Sequence, residues 1–255
     1  MDLRLYNKEV INNYKNNSQI IRVLTENWFL NQMYCPCCLN IKIKDFPNNT
    51  KGVDFFCEKC NNTFQLKGSK NEFKNRVLDG EYNTMKNIIL KNAAPNLFLL
   101  HYNISDWHVK NLLLIPKFFM SFSILEKRKP LSIHAQRAGW TGCNFLIERL
   151  PSEGKIKVIE NENLIEKEKV NKIWKKMFFL NLKKPQFRGW TSDILKIVEE
   201  LPEKFSLNEI YKYENYLKEI YPLNNNIKPK IRQQLQILRD NKIIKFDFRG
   251  SYIKI

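Results

Sequence analysis

Four of the six cysteines form two Cys-x-x-Cys pairs, Cys35/Cys38 and Cys57/Cys60, with 18 residues between the pairs. Two such pairs supply four thiolates, the ligand set of a tetrahedral zinc site. Because four thiolates leave no open coordination position for water, the spacing predicts a structural Zn²⁺. Disulfide bonds are the alternative, and Cys37 is an alternative ligand to Cys38.

A carboxylate, an amide and an amine surround the second cysteine pair. Asp54 precedes it in a β-like run, and Gln65 and Lys67 follow it in another. If the pair is the turn of a hairpin, Asp54 comes close to the other two, which share one strand face. Asp54 and Gln65 then offer oxygen ligands to Mg²⁺, and Lys67 can orient water or stabilise developing charge. The pattern predicts Mg²⁺-assisted phosphodiester hydrolysis; unrelated surface side chains are the alternative.

The charge of the chain favours a polyanionic partner. Lys and Arg outnumber Asp and Glu by 43 to 26, for a formal net charge of +17 over 255 residues. Such an excess attracts nucleic-acid phosphates, although AT-rich codon usage would also enrich lysine. Phosphate-binding glycine motifs, an apolar leader and an 18-residue apolar stretch are missing from the sequence. We therefore expect a cytoplasmic protein that does not interact with membranes.

Helices and strands alternate through residues 1–183, which predicts an α/β domain. A helix is expected over residues 17–33 behind a cap at Asn17 or Ser18, and a polar loop over residues 68–80. Further helices are expected at 82–91 and 166–180, and strands at 96–102, 109–115 and 155–159.

Residues 184–255 have the pattern of a winged helix. Helices are expected at 191–201, 206–221 and 229–241, followed by a β-hairpin over 243–255. At helical pitch, four apolar residues of the third helix face the core: Ile227, Ile231, Leu235 and Leu238. Its outer face is expected to enter the major groove through Lys228, Lys230, Arg232, Gln233, Gln236 and Arg239. A solvated face in a protein-interaction module is the alternative.

Several longer strings resemble the DpnI-like family of methyladenine-dependent restriction endonucleases. They occur between residues 34 and 240, so the resemblance covers most of the chain. The strings are YCPCC (34–38), VDFFC (53–57), FQLK (64–67), RAGWTGCN (137–144), RGWT (188–191) and IRQQLQILRD (231–240).

The resemblance implies a PD-(D/E)XK nuclease core, a mixed sheet with flanking helices and a zinc knuckle, followed by a winged helix. It implies a Mg²⁺-dependent type II restriction endonuclease that hydrolyses both DNA strands at G-A-T-C sites carrying N6-methyladenine. Asp54 is then the first acid of the motif and Lys67 its lysine. Gln65 stands where the family has glutamate, so metal affinity is expected to be lower. Glu26, in the first long helix, is an acid that could complement the site.

Reading a methyl group requires an apolar or aromatic surface in the major groove. Burying one methyl group contributes only about 0.8 kcal/mol. Strict dependence of cleavage on methylation therefore indicates that several contacts each recognise the methyl group. Trp140, with Arg137 close to it in sequence, is the first candidate for this surface. A core tryptophan is the alternative.

Two other functions compete with the restriction enzyme. A methyladenine reader or regulator would keep the fold and lose catalysis through Gln65, whereas a zinc-ribbon transcription factor would leave residues 61–182 without a role. We expect a monomer in solution. One set of catalytic residues per chain means that two cuts need two proteins or sequential visits.

Overall fold

The computed structural model describes residues 1–47, 50 and 52–255, and contacts group them into two compact units. The first unit consists of Met1–Val77, Ala93–Lys117 and Glu153–Phe178. The second consists of Leu78–Asn92, Phe118–Ser152 and Phe179–Ile255. The predicted class, a mixed α/β core followed by a helix-turn-helix domain, is confirmed. The predicted boundary between residues 183 and 184 remains a prediction.

The regular elements follow one another in mixed order along the chain. The α-helices are α1 Lys8–Asn13, α2 Asn17–Gln32, α3 Tyr82–Leu90, α4 Lys167–Lys176, α5 Pro185–Glu200, α6 Leu207–Tyr211, α7 Glu214–Ile220 and α8 Ile227–Asp240. The strands are β1 Lys44–Asp45, β2 Phe55–Phe56, β3 Thr63–Ser69, β4 Arg76–Glu81, β5 Asn96–Asn103, β6 His108–Ile115, β7 Leu125–Lys127, β8 Gly142–Leu146, β9 Ile156–Glu160, β10 Asn163–Leu164, β11 Lys204–Ser206, β12 Ile244–Phe246 and β13 Ser251–Lys254.

A seven-stranded sheet forms the centre of the first unit, in the order β1-β2-β3-β5-β6-β9-β10. β3 and β5 are parallel, and the other strand pairs of this sheet are antiparallel. β5 is a nearly continuous apolar run because it is covered on both faces. On one of them, Phe29 of α2 packs against Phe55 and Phe98, with ring centroids 4.6 and 4.9 Å apart.

The first long helix and the segment after β3 differ from the sequence prediction in detail. Asn16 caps α2, not Asn17 or Ser18, because its side chain accepts a hydrogen bond from the Ser18 amide (2.9 Å). Residues 68–80, predicted to be a loop, contain the last two residues of β3 and most of β4. β4 forms a sheet with β8 and β7, more than 40 residues downstream, and a sequence window cannot show such pairing.

The winged helix in the second unit contains the helices α5 to α8 and the three-stranded sheet β11-β13-β12. The first helix, α5, begins at Pro185 rather than at residue 191, and proline suits this first helical position. The predicted helix 206–221 is divided into α6 and α7 by Lys212 and Tyr213. Ser206 caps it as predicted, in a reciprocal capping box with Glu209. The hairpin of β12 and β13 is the predicted wing.

The string RGWT at the start of α5 holds the helices together. Arg188 is 2% exposed and donates hydrogen bonds to the carbonyls of Lys183 (2.9 Å) and Asn181 (3.0 Å). A Cβ at Gly189 would lie 2.9 Å from the Tyr221 hydroxyl, so glycine allows a close approach. Thr191 donates to Gln234 of α8 (2.7 Å). Arg188, Gly189 and Thr191 therefore contribute to packing within the second unit.

A buried carboxylate in α5 makes the stability of the protein depend on pH. Asp193 accepts hydrogen bonds from the hydroxyls of Tyr221 (2.5 Å) and Ser123 (3.1 Å). Burial nevertheless raises the pKa of Asp193 from 3.8 to about 6. The folded state therefore binds this proton more tightly than the unfolded chain, so stability falls as pH rises between these two values.

The Asp193→Asn variant is expected to lack this loss of stability. The amide stays neutral, so the variant gains on the order of 3 kcal/mol relative to wild type between low and neutral pH. Urea unfolding of both proteins across this pH range measures the difference. The exposed Asp240→Asn is the control and should follow wild type. Parallel curves for Asp193→Asn and wild type would contradict the prediction.

Candidate functional site

The two cysteine pairs meet in the first unit as a compact sulfur cluster. The Sγ atoms of Cys35, Cys38, Cys57 and Cys60 all lie within 4.8 Å of one another. The distances from Cys35 to Cys60 and from Cys38 to Cys57 are 3.5 and 3.6 Å. Four thiolates about 2.3 Å from one zinc ion would lie about 3.8 Å apart at tetrahedral angles. The donor set and its geometry therefore fit structural Zn²⁺, with Cys38 and not Cys37 in the group.

Each cysteine pair lies on a tight turn that ends in a left-handed residue, Leu39 (φ 62°) or Asn61 (φ 54°). Their amides donate to the carbonyls of Cys35 and Cys57, both at 2.8 Å. Asparagine amides support the sulfurs: Asn62 Nδ2 lies 3.4 Å from Cys60 Sγ. Such outer hydrogen bonds orient thiolate ligands.

Sulfur contacts and burial shift the pKa values of the four thiols in different directions. Hydrogen bonding from the buried Cys37 thiol is the main cause that lowers the pKa of Cys35 and of Cys60. Burial, by contrast, raises the pKa of Cys38. Since thiolates are the zinc-binding form, the first two residues are prepared for metal.

The second turn is the end of a β-hairpin, and this hairpin positions the predicted catalytic residues. β2 pairs with β3 in the register Phe55 to Phe64 and Phe56 to Thr63. One step further, Asp54 N–H donates to Phe64 O (2.9 Å), so Asp54 lies next to the Phe64–Gln65 peptide. Asp54 is held there because its Oδ2 accepts a hydrogen bond from the Leu66 amide (2.7 Å). Lys67 follows two residues after Gln65, so both side chains leave the same strand face.

Helix α2 brings Glu26 towards this hairpin. A Cβ at Gly68 would lie 3.1 Å from Thr25 Cγ2, so the helix and the end of β3 are in close contact. Glu26 then lines a cavity of about 360 Å³ together with Asp45 and Asp54. The predicted complement, Glu26, therefore shares a pocket with the first predicted acid.

The charge within this pocket is negative. Burial raises the pKa of Glu26, the guanidinium of Arg22 opposes the shift, and the carboxylates of Asp54 and Asp45 add to it. The distance from Arg22 Nε to Glu26 Oε1 is 3.8 Å. Carboxylate oxygens in a negative pocket are donors that a hard cation such as Mg²⁺ prefers, so the acids of this pocket fit that ion. Gln65 and Lys67 are not among the residues that line it.

Asp45 is the residue of this pocket that sequence reasoning missed. It is in β1, whose pairing with β2 aligns Asp45 with Phe55, next to Asp54. A strand of two residues has no readable alternation, and its partner begins ten residues later. The isolated acid before Phe46-Pro47 was the only available sequence signal.

The outer face of α8 has the composition and exposure predicted for a DNA-reading helix. The four predicted core residues are at most 4% exposed, whereas Gln233 and Gln236 are exposed. Lys230 Nζ donates to Gln233 Oε1 (2.7 Å) and lies 4.7 Å from the centre of the Phe187 ring. Partial burial lowers the pKa of Lys230.

The other predicted cations of this helix also have defined partners. Lys228 pairs with Glu214 (3.3 Å), and Arg232 Nε donates to the Tyr211 hydroxyl (2.5 Å). Arg239 pairs with Asp240 (2.8 Å) and stacks over a ring of the wing, that of Phe246. These contacts restrict the side chains and lower the entropy cost of ordering them on a partner.

Arg137 and Trp140 lie in the second unit, in the loop between β7 and β8. Arg137 is exposed, and its carbonyl accepts a hydrogen bond from the Trp140 amide (3.0 Å). The Trp140 ring packs against the backbone of Gly142, where a Cβ would lie 2.9 Å from it. Trp140 is half-buried. Its exposure therefore does not decide between a surface residue that contacts the methyl group and a core tryptophan.

Within the part of the chain that the structure describes, no helix combines the length and apolarity required to span a membrane.

Family models match nearly the whole sequence: DpnI, the Dam-replacing family, over residues 1–183, and DpnI_C, the Dam-replacing HTH domain, over residues 186–254. The family implies a restriction endonuclease that binds DNA. With its α/β core, cysteine cluster and C-terminal winged helix, the chain belongs to the Dam-replacing family of DpnI.

Proposed function

We propose that this protein is a methyl-directed type II restriction endonuclease. It hydrolyses both DNA strands at G-A-T-C sites that contain N6-methyladenine, and it depends on Mg²⁺. The observation that supports the proposal is the hairpin, in a chain of the DpnI family, where Asp54 bonds to Phe64 O and to the Leu66 amide on either side of Gln65. This is the acid, oxygen ligand and lysine arrangement of a PD-(D/E)XK nuclease.

The oxygens of Asp54 and Gln65 would hold the magnesium ion, which polarises the scissile phosphate and lowers the pKa of the attacking water. The Leu66 amide fixes one carboxylate oxygen of Asp54, so the ligand is oriented before DNA binds. Lys67 orients the water or stabilises charge at the phosphate. Glu26 supplies a further carboxylate in the same pocket.

Sequence recognition is divided between two elements in the proposal. Gln233 and Gln236 read base edges in the major groove, while the cations of α8 contact phosphates. The Trp140 ring provides an apolar surface for the adenine methyl group, next to Arg137. If each element prefers methylated over unmethylated DNA, the two preference factors multiply. The combined preference is then stronger than one buried methyl group can provide.

One plasmid in two forms, methylated and unmethylated at G-A-T-C, tests the proposal when each is incubated with the protein and Mg²⁺. We expect fragments from the methylated form alone. Cutting of both forms would reject the methyl requirement. Binding of methylated DNA without cutting, in Mg²⁺ or Mn²⁺, would favour the second candidate, a methyladenine reader. Gln65 is the observation that supports this candidate, since the amide carries no charge.

The Gln65→Glu variant is expected to cleave methylated DNA at lower Mg²⁺ concentration than wild type does. A second carboxylate strengthens binding of a hard dication, so the half-saturating concentration should fall about tenfold. Initial cleavage rates in a Mg²⁺ titration measure this. Gln19→Glu, at an exposed position of α2, makes the same change in net charge and should leave the titration unchanged. The same concentration dependence for Gln65→Glu and wild type would mean that residue 65 is not a ligand.

A further inference from the structure

The loop between β7 and β8, residues 128–141, is strongly basic. The sequence contains no acidic residue from Lys127 to Ile147. Exposed cations in the loop are Arg128, Lys129 and Arg137, and Lys127, at the end of β7, is exposed next to it. Since no carboxylate in the loop neutralises these cations, the loop complements a polyanion such as a nucleic-acid backbone.

The tip of this basic loop is apolar. Ile133 is 83% exposed and Leu131 is 39% exposed. A single exposed aliphatic side chain is ordinary on a protein surface. An aliphatic tip between cations is different, because these are the two components with which minor-groove proteins hold and deform DNA.

The backbone of the loop is ordered by its own hydrogen bonds. Leu131 N–H donates to Trp140 O (2.9 Å), and Gly139 N–H donates to Leu131 O (3.1 Å). At the base, Arg128 N–H donates to Gly142 O (3.0 Å). The tip is therefore presented on a closed base, and little entropy is lost when it meets a partner.

We propose that this basic loop enters a groove of the DNA duplex and that Ile133 wedges against a base step. The inserted side chain partly unstacks the step, while Lys129 and the neighbouring cations hold the phosphates beside it. Unstacking energy depends on base sequence, so the wedge adds indirect readout to the contacts of α8. The inference rests on the DNA binding in the proposed function and specifies how the loop deforms the substrate.

The test uses the full chain without added Mg²⁺ and duplexes in which 2-aminopurine replaces adenines at successive positions flanking a methylated or unmethylated G-A-T-C site. Emission of 2-aminopurine rises when the base unstacks. We expect wild type to raise it at one step. For Ile133→Ala we expect most of that rise to be lost. The variant should also bind DNA roughly tenfold more weakly, because the truncated side chain no longer buries apolar surface against the base step.

Two further variants separate the wedge from charge and from general apolar exposure. Lys129→Ala should keep the emission rise and reduce the salt slope of log K by about one. Leu223→Ala, which truncates a side chain that is 97% exposed, should match wild type in both readouts. Because Ile133 is exposed, all variants should show the wild-type circular dichroism spectrum.

Equal emission and affinity for Ile133→Ala and wild type, or no rise with wild type at any position, would overturn the wedge. The proposed function fails by a different result, namely no methylation-dependent cleavage of the plasmid. An emission rise that depends on Ile133 and is equal on methylated and unmethylated duplexes would uphold the wedge and show that the wedge itself does not read the methyl group.

Discussion

Asp54→Asn is expected to reduce the cleavage rate of methylated DNA by about a thousandfold or more, with DNA affinity nearly unchanged. The amide oxygen can still accept the hydrogen bond from Leu66 N–H, so the hairpin is preserved. In the proposed site, the variant loses the negative charge of a metal ligand at the reacting phosphate, and such electrostatic contributions are among the largest in catalysis. Single-turnover cleavage at saturating protein separates this loss from binding.

Asp45→Asn is the matched comparison, since it makes the same chemical change in the same pocket. It should lower the rate by about tenfold or less, because Asp45 is not one of the proposed metal ligands and would act on them through its charge. Lys67→Ala should resemble Asp54→Asn, whereas Lys59→Ala, at the exposed turn of the same hairpin, should cleave like wild type. If Asp54→Asn retained wild-type cleavage, the assigned catalytic site would be wrong.

Cys60→Ser is expected to abolish zinc binding and cleavage together. Structural zinc contributes on the order of 10 kcal/mol to the folding of small zinc domains. Here the residues that hold it form the turn of the hairpin between Asp54 and Gln65. Losing the metal therefore releases both catalytic strands, so activity should disappear even if the rest of the sheet stays folded. Zinc content, thermal unfolding and cleavage of methylated DNA are the three measurements.

Two other cysteines serve as controls for this zinc prediction. Cys37→Ser should retain one zinc per chain because Cys37 lies outside the four-sulfur group. Cys143→Ser should also retain it, since Cys143 is buried in β8 and its thiol donates to Gly80 O (3.4 Å). A metal-replete Cys60→Ser protein with normal activity would show that the cysteine cluster is not a structural zinc site.

The candidate site was largely predictable because its spacing is local. Cys57 and Cys60 close a turn, and the flanking runs then pair, so Asp54 and Gln65 belong to one hairpin although 11 positions separate them. The contribution of Asp45 was not predictable. It depends on β1, which joins the hairpin through a separate pairing with β2.

Sequence spacing also could not decide between Cys37 and Cys38 as the zinc ligand. Both residues satisfy a loose reading of the cysteine spacing, and both are cysteines of one turn. Only the positions of the sulfurs separate the two: the Sγ atom of Cys38 lies within 4.8 Å of the other three in the group, which does not include Cys37. Spacing along the chain carries no information on these distances.

The sequence by itself determined the ligand types, the periodicity of the helices and the order of the C-terminal elements. Those properties are local: side chains alternate along β3, and the apolar stripe of α8 repeats at helical pitch. Only the tertiary structure decided that β4 is a strand, that Asp45 joins Glu26 beside Asp54, and that Arg188 is buried. These outcomes depend on partners distant in sequence, whose burial and pairing energies override local preference.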